Sequence, residues 1–243
     1  MTLKKTSPSS HTHKAEKEKV RTMFNDIAPK YDFLNHFLSG GIDILWRKKV
    51  RRLLASGNPK KILDVATGTG DLAIELLNLK PDKIIGIDIA TEMLDIGREK
   101  IQHKGLESII ELQEGDAENL KFNDNYFDAI TVAFGVRNFE TLQKGLKEMY
   151  RVLVTDGTVA VLEFSKPKAF PVKQVYNFYS RHILPRMGKL VSKSSTAYTY
   201  LPDSVQEFAE DKAFLDELTK AGFKNTKQKR LTMGIATLYF ARK

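Results

Sequence analysis

One stretch constrains this chain more than any other: Ile62-Leu63-Asp64-Val65-Ala66-Thr67-Gly68-Thr69-Gly70-Asp71-Leu72. An apolar run rich in β-branched residues breaks off at Thr-Gly-Thr-Gly and resumes as Leu72, Leu76 and Leu77, a helical spacing. Strand, glycine turn and helix open a nucleotide-binding βαβ unit. Glycines let the backbone turn tightly with no Cβ in the way of a ligand, and the free N–H groups of the helix start face that ligand. Gly68-x-Gly70-x-x-Ala73 also satisfies the dinucleotide pattern, so an NAD-dependent oxidoreductase stands as a rival reading.

The acids that follow favour another ligand. Asp64 precedes the turn, where a carboxylate attracts the amino group of a zwitterion and repels a pyrophosphate. Asp88 closes the next strand (Ile84-Ile85-Gly86-Ile87), placed to hold two ribose hydroxyls. Asp116 ends the strand after that, within reach of an adenine amine. An amine, a ribose, an adenine and no phosphate describe S-adenosylmethionine. The expected cofactor-binding set on these grounds is Asp64, Gly68, Asp88 and Asp116.

From residue 58 onward strand and helix patterns alternate, which implies a parallel sheet. Strands are predicted near 61–66, 83–88, 109–114, 127–134 and 157–164, with helices near 71–79, 91–104 and 140–153. A last helix over 205–221 leads into a hairpin turning at Met233-Gly234, an ending that suits a methyltransferase sheet better than a dinucleotide-binding one. The predicted fold is α/β, a Rossmann-like class I methyltransferase sheet, mostly parallel with a C-terminal antiparallel hairpin. Within this domain (58–243), residues 166–206 carry Pro167, Pro171, Pro185 and Pro202 and are too long for a plain connection. They read as a helical insertion covering the substrate. Residues 15–57 read as an N-terminal helical extension. Its first helix carries Val20, Met23, Phe24 and Ile27 on one face and ends or bends at Pro29; a second covers 31–38. A third sets Trp46, Val50, Leu53 and Leu54 against Arg47, Lys48, Arg51 and Arg52. Residues 1–14 read as a disordered tail.

Composition then excludes several classes. With no cysteine there is no disulfide, thiolate metal site or cysteine nucleophile. The five histidines form no i, i+4 pair, so no metal is expected. No apolar run reaches the ~18 residues of a membrane span and no signal-peptide core leads the chain, so a cytoplasmic protein is expected. The net charge of +9 is concentrated: residues 1–22 carry +4 and residues 47–61 carry +7, leaving the rest near neutral. Nucleic-acid binders spread their basic residues over a face, so no nucleic acid is expected. The basic N-terminal helices fit an anionic membrane surface or a solvated face. Oligomeric state is open, a homo-oligomer included.

Further motifs carry a resemblance. Tyr31-Asp32-x-x-Asn35-x-x-Leu38-Ser39 followed by Trp46 resembles the N-terminal signature of the ubiquinone/menaquinone biosynthesis C-methyltransferases. Arg151-Val152-Leu153, Gly157 and Leu162-Glu163-Phe164-Ser165-Lys166-Pro167 resemble their second signature. Phe134-Gly135-Val136-Arg137-Asn138 and His182-Ile183-Leu184-Pro185-Arg186-Met187-Gly188 are similar to other family segments. The resemblance implies methyl transfer from S-adenosylmethionine to a ring carbon of a prenylated quinol, demethylmenaquinol ahead of the ubiquinol precursor. It also implies that Thr69, Asp88, Asp116 and Ala117 contact the cofactor. Asp43 stands where many members have His, Val154-Thr155-Asp156 where Lys-Pro-Gly is usual, and Ala133 where Ser is frequent.

A quinol carbon becomes nucleophilic when a neighbouring hydroxyl loses or shares its proton. Arg137 and Asn138 fall at the carboxyl end of the fourth strand, where open α/β sheets bind ligands, and Tyr31 can fold over from the N-terminal helices. The resemblance implies the same catalytic trio, with the arginine acting through water. A guanidinium is a poor base at neutral pH, so stabilising a quinol oxyanion is the easier role for Arg137. A bland alternative pairs it with an acid such as Glu140. Phe170, Tyr176, Phe178, Tyr179, Tyr198 and Tyr200 are candidates to line a quinol pocket. An amino-methylating nucleic-acid enzyme is disfavoured, since no Asn/Asp-Pro-Pro-aromatic segment follows the fourth strand.

Overall fold

A computed structural model describes residues 10–183 and 196–243. The parallel strands are β1 (Lys61–Val65), β2 (Lys83–Asp88), β3 (Ile110–Glu114), β4 (Phe127–Ala133) and β5 (Leu153–Phe164). A hairpin of β6 (Lys224–Leu231) and β7 (Ala236–Arg242) completes a seven-stranded sheet in the order β3-β2-β1-β4-β5-β7-β6, with β7 antiparallel to both neighbours. The strand order reverses between β1 and β4, and the crevice above their carboxyl ends is where such a sheet binds its ligand.

Helices α1 (Ser10–Ser39), α2 (Ile42–Leu54), α3 (Asp71–Leu76), α4 (Thr91–His103), α5 (Leu142–Val152), α6 (Val172–Phe178), α7 (Thr196–Glu207) and α8 (Lys212–Lys220) surround the sheet. In β5, Val159 and Val161 pack on one face with Phe127, Leu146, Met149 and Phe214, while Ala160 and Leu162 pack on the other with Trp46, Val50 and Leu54. A strand covered on both sides needs apolar residues at every position, which is why this run shows no polar alternation. On α2 the i, i+4 series Trp46, Val50, Leu54 is buried.

Four expectations change. The first helix continues through Pro29 to Ser39. Proline removes one backbone hydrogen bond, but Met23, Ile27, Ala28 and Tyr31 pack with Ala90 and Met93, and that packing carries the helix across. The helix also begins at Ser10, so residues 10–14 of the expected tail are helical. The helix expected over 205–221 is two helices, because the acids between them are drawn elsewhere. Glu210 accepts from the Lys166 N–H (2.8 Å), and Asp211 accepts from Lys168 (2.6 Å) and Arg230. β5 starts at Leu153, paired with Phe127, before the left-handed turn at Asp156 (φ 62°). Residues 1–9, segment 184–188 of the resemblance and the Tyr198 side chain lie outside what is described.

Candidate active site

At the end of β1 the backbone turns through three left-handed residues, Ala66 (φ 53°), Gly68 (φ 56°) and Gly70 (φ 80°), before α3 begins. A Cβ at Gly68 would meet nothing within 4 Å, because that position faces a cleft. Across from it, a Cβ at Gly135 would stand 2.4 Å from the Ala66 Cβ, so the end of β4 approaches only because that residue is glycine.

Asp88, Asp116, Ala117 and Gly68 all line this cleft, together with Ile89, Met93 and Phe139. Asp88 is held by backbone alone: Oδ2 accepts from the Gly68 N–H (2.8 Å) and Oδ1 from the Ala90 N–H (2.9 Å). Burial raises its pKa against those two bonds. Asp116 accepts from the Glu118 N–H (2.9 Å) and pairs with Lys17 of α1 (2.5 Å).

The structure places two other sequence candidates behind the cleft wall. Asp64 is 1% exposed, and its oxygens accept from the hydroxyls of Thr67 (2.7 Å) and Thr131 (2.6 Å). Burial pushes its carboxyl up to about 6. Its neighbours are therefore protein hydroxyls rather than the cleft. Thr69 is likewise buried, and its hydroxyl donates to Asp32 of α1 (2.6 Å). Asp32 also pairs with Lys100 (2.7 Å), which reaches Asp71 (2.7 Å), so α1 is fastened to the glycine turn.

A second, aromatic cavity adjoins the cleft; Tyr31, Phe24 and Phe134 belong to the walls of both. Phe134 stacks on Phe164 (centroids 4.4 Å apart), and Trp46 meets both rings at about 6 Å. Trp46 is anchored by its N–H to the Thr232 hydroxyl (2.8 Å). Arg137 joins this wall with its side chain 6% exposed. Its Nη1 donates to Glu163 Oε1 (2.6 Å) and the Phe134 carbonyl (2.5 Å), and its Nε to the Ser204 hydroxyl (3.3 Å). The partner of Arg137 is thus a buried acid on β5 rather than a surface acid.

Asn138 lines the cleft, and its Oδ1 accepts from the Tyr200 hydroxyl (2.9 Å). Burial raises the Tyr31 phenol above its usual value, against the Asn35 hydrogen bond and the Arg137 charge. A third cavity opens beyond Trp46 and Phe164, lined by Ile42, Tyr176, Tyr179, Leu201, Val205 and Ile235. Of the insertion aromatics, Tyr176, Tyr179 and Tyr200 face these cavities, whereas Phe170 (81%) and Phe178 (60%) face solvent.

Asp43 is buried where α1 meets α2. It accepts from Ser39 (2.6 Å) and Arg47 and lies 2.8 Å from His36 Nδ1. Burial alone would raise it, but these partners hold the carboxyl below its ordinary value. Among the described residues no cluster of three or more His, Asp or Glu is arranged to hold a metal ion.

Sequence reasoning gave no role to Glu163, Lys17 or Ser204, and offered Tyr200 only as a ring lining the quinol pocket. Glu163 did leave a signal, a lone acid in a strand otherwise apolar from Val159 to Phe164. Lys17, one of several lysines in a polar stretch, left none.

Sheet order, hairpin and glycine turn define a Rossmann-like S-adenosylmethionine-dependent methyltransferase. A solved S-adenosylmethionine-dependent methyltransferase from Thermotoga maritima, described as a possible histamine N-methyltransferase, superposes with a TM-score of 0.64 over 92% of this chain and 99% of that one. At 18% identity that likeness speaks for the fold alone. Sequence carries the assignment further, because the profile of the ubiE/COQ5 methyltransferase family matches residues 12–243, and the chain belongs to that family. A demethylmenaquinone methyltransferase of Bacteroides fragilis is 48% identical over 98% of both chains. A ubiquinone/menaquinone biosynthesis C-methyltransferase of Geotalea daltonii is 46% identical over 93% of this chain and 97% of its own. Family membership removes the NAD-dependent oxidoreductase reading.

Proposed function

We infer that the enzyme methylates a ring carbon of a prenylated quinol, converting demethylmenaquinol to menaquinol. The observation that carries this reading is the pairing of two cavities across Tyr31 and Phe134: a cleft with carboxylates at strand ends, and an aromatic chamber continuing into an apolar one. The relatives at 48% and 46% identity supply the quinone class, and the second one's name keeps the ubiquinol precursor as a further substrate to test.

The cleft fits S-adenosylmethionine on three counts. Open space stands where Gly68 lacks a Cβ, and the Asp88 carboxylate is fixed by backbone N–H groups with lone pairs to spare for ribose hydroxyls. Asp116 and Ala117 lie farther along the same wall. When bound, the cofactor supplies an electrophilic methyl group. Thr69 and Asp64 support the turn from behind.

Arg137 stabilises negative charge developing on the quinol oxygen next to the acceptor carbon. Tyr31, kept protonated by burial, donates a hydrogen bond rather than acting as a base. With its carbonyl engaged by Tyr200, Asn138 has its amide N–H groups left to donate. The stacked rings of Phe134 and Phe164 offer the quinol a flat wall, and the cavity lined by Ile42, Tyr176 and Ile235 takes the start of the prenyl chain.

A water-insoluble substrate calls for membrane contact. Arg47 and Arg51 turn inward to Asp43 and Glu75, which leaves Lys48, Lys49 and Arg52 on the outer face of α2 beside exposed Ile44 and Leu45. This face rests peripherally on anionic lipid at the cytoplasmic side; no helix among the described residues is long and apolar enough to cross a membrane.

The test is incubation with labelled S-adenosylmethionine and, side by side, reduced demethylmenaquinone and the methoxy-polyprenyl benzoquinol, followed by mass analysis. Methylation of the naphthoquinol supports the reading; methylation of the benzoquinol alone overturns the substrate, and of neither, the reaction.

A further inference from the structure

Glu163 is the least expected charge in the molecule. Its side chain is 0% exposed, one residue from the end of β5, and it follows Val159, Ala160, Val161 and Leu162 in the strand. Burying a carboxylate is costly, and a buried ion pair seldom stabilises a fold more than apolar residues of the same size would. Its reason for being there is geometric.

Both Glu163 oxygens are directed at Arg137 and its neighbourhood. Oε1 accepts from Arg137 Nη1 (2.6 Å) and from the Phe164 N–H (2.9 Å), and Oε2 lies 3.4 Å from the Arg137 backbone N–H. The Phe164 N–H therefore fixes the carboxylate while the carboxylate fixes the guanidinium. Nη1 is fully used between Glu163 and the Phe134 carbonyl, and Nε is engaged by Ser204. That leaves Nη2, which makes no hydrogen bond among the described residues, on a side chain that lines the aromatic cavity. The Phe164 ring beneath the guanidinium (5.6 Å) limits its remaining freedom.

We propose that Glu163 is a positioning residue for methyl transfer: it holds the Arg137 guanidinium in one plane so that Nη2 addresses the quinol oxygen. The proposal rests on the reading in which Arg137 stabilises that oxygen. A guanidinium that must find its orientation during the reaction loses the benefit of a donor already in place, so Glu163 acts on the transition state through Arg137. It has no direct contact with either cavity, so it does not bind substrate.

The experiment measures kcat and both KM values for Glu163→Gln, Glu163→Ala, Arg137→Ala and the Arg137→Ala/Glu163→Gln double variant. Glu163→Gln keeps an acceptor for Nη1 and should lower kcat three- to tenfold. Glu163→Ala removes the acceptor and should lower it about a hundredfold. The KM for S-adenosylmethionine should stay within twofold in both. In the Arg137→Ala background, Glu163→Gln should change kcat by less than twofold, because the group it positions is gone. If Glu163→Ala fails to fold, the Gln variant and the double variant still decide. Full rate in Glu163→Gln together with a large loss in Arg137→Ala overturns the positioning role and leaves the proposed reaction standing. Full rate in Arg137→Ala overturns the reading beneath it. A raised quinol KM at unchanged kcat makes Glu163 part of a binding wall and also overturns the proposal.

Discussion

The two cavities meet at Tyr31 and Phe134, yet they are built differently. The cleft proposed for the cofactor draws most of its wall from successive strand ends, at Val65 to Gly68, Asp88 to Ile89, Gly115 to Glu118 and Ala133 to Gly135. Asp88 in that wall is gripped by main chain, accepting from the Gly68 and Ala90 N–H groups. The aromatic chamber proposed for the quinol draws on α1, α2, β5 and α7, and Arg137 in its wall is held mainly by the side chains of Glu163 and Ser204, with one bond to the Phe134 carbonyl. Backbone-held groups are set as soon as the sheet forms. Side-chain-held groups are set only when distant segments have docked. Substitutions should therefore separate cleanly, with cofactor affinity moving on one side and turnover on the other.

The largest separation is expected at Arg137. Arg137→Ala should lower kcat by roughly 10²–10³, the magnitude of one oxyanion donor, with cofactor affinity by calorimetry nearly unchanged. Retained rate with a lower melting temperature would make Arg137 only a structural partner of Glu163, and the comparison would break there.

Asp64 tests whether the glycine turn is a stability element as well as a wall. Its folded pKa of about 6 lies above the ordinary 3.8, so the native state keeps a proton that the unfolded chain releases between those values. Stability from this group is present below about pH 4 and is lost as pH rises to about 6, by roughly 2–3 kcal/mol. Asp64→Asn should flatten that part of the melting-temperature profile, and an unaltered profile would count against a raised Asp64.

Asp88→Ala should weaken S-adenosylmethionine binding by roughly 1.5–3 kcal/mol in calorimetry, with kcat at saturating cofactor close to wild type. A fall in kcat larger than the loss of affinity would show that the two sides are coupled.

The smallest effect is expected at Tyr200. Tyr200→Phe removes one neutral donor to Asn138, about 1 kcal/mol, so turnover should drop several-fold with no change in cofactor affinity. A change in affinity would sharpen the comparison by placing Asn138 on the cofactor side, whose wall it shares.

The sequence by itself determined the sheet, its parallel order of elements, the closing hairpin and the acids at successive strand ends. These follow from period, glycine and the position of a residue within its own strand. Gly68 and Asp88 each follow from the end of a strand that the sequence pattern itself places, and parallel pairing of β1 and β2 brings those two ends together. Tertiary structure decided what happens across distance. It carried α1 past Pro29, because packing on Ala90 and Met93 outweighs one missing hydrogen bond. It turned Asp64 and Thr69 away from the cleft toward Thr131 and Asp32. It spent Arg47 and Arg51 on internal pairs rather than leaving α2 wholly basic outside. It also joined Arg137 to Glu163 and Ser204, 26 and 67 residues away in the chain. A charged side chain takes whichever partner the packed fold brings within hydrogen-bonding reach, and no local pattern in the chain encodes that choice.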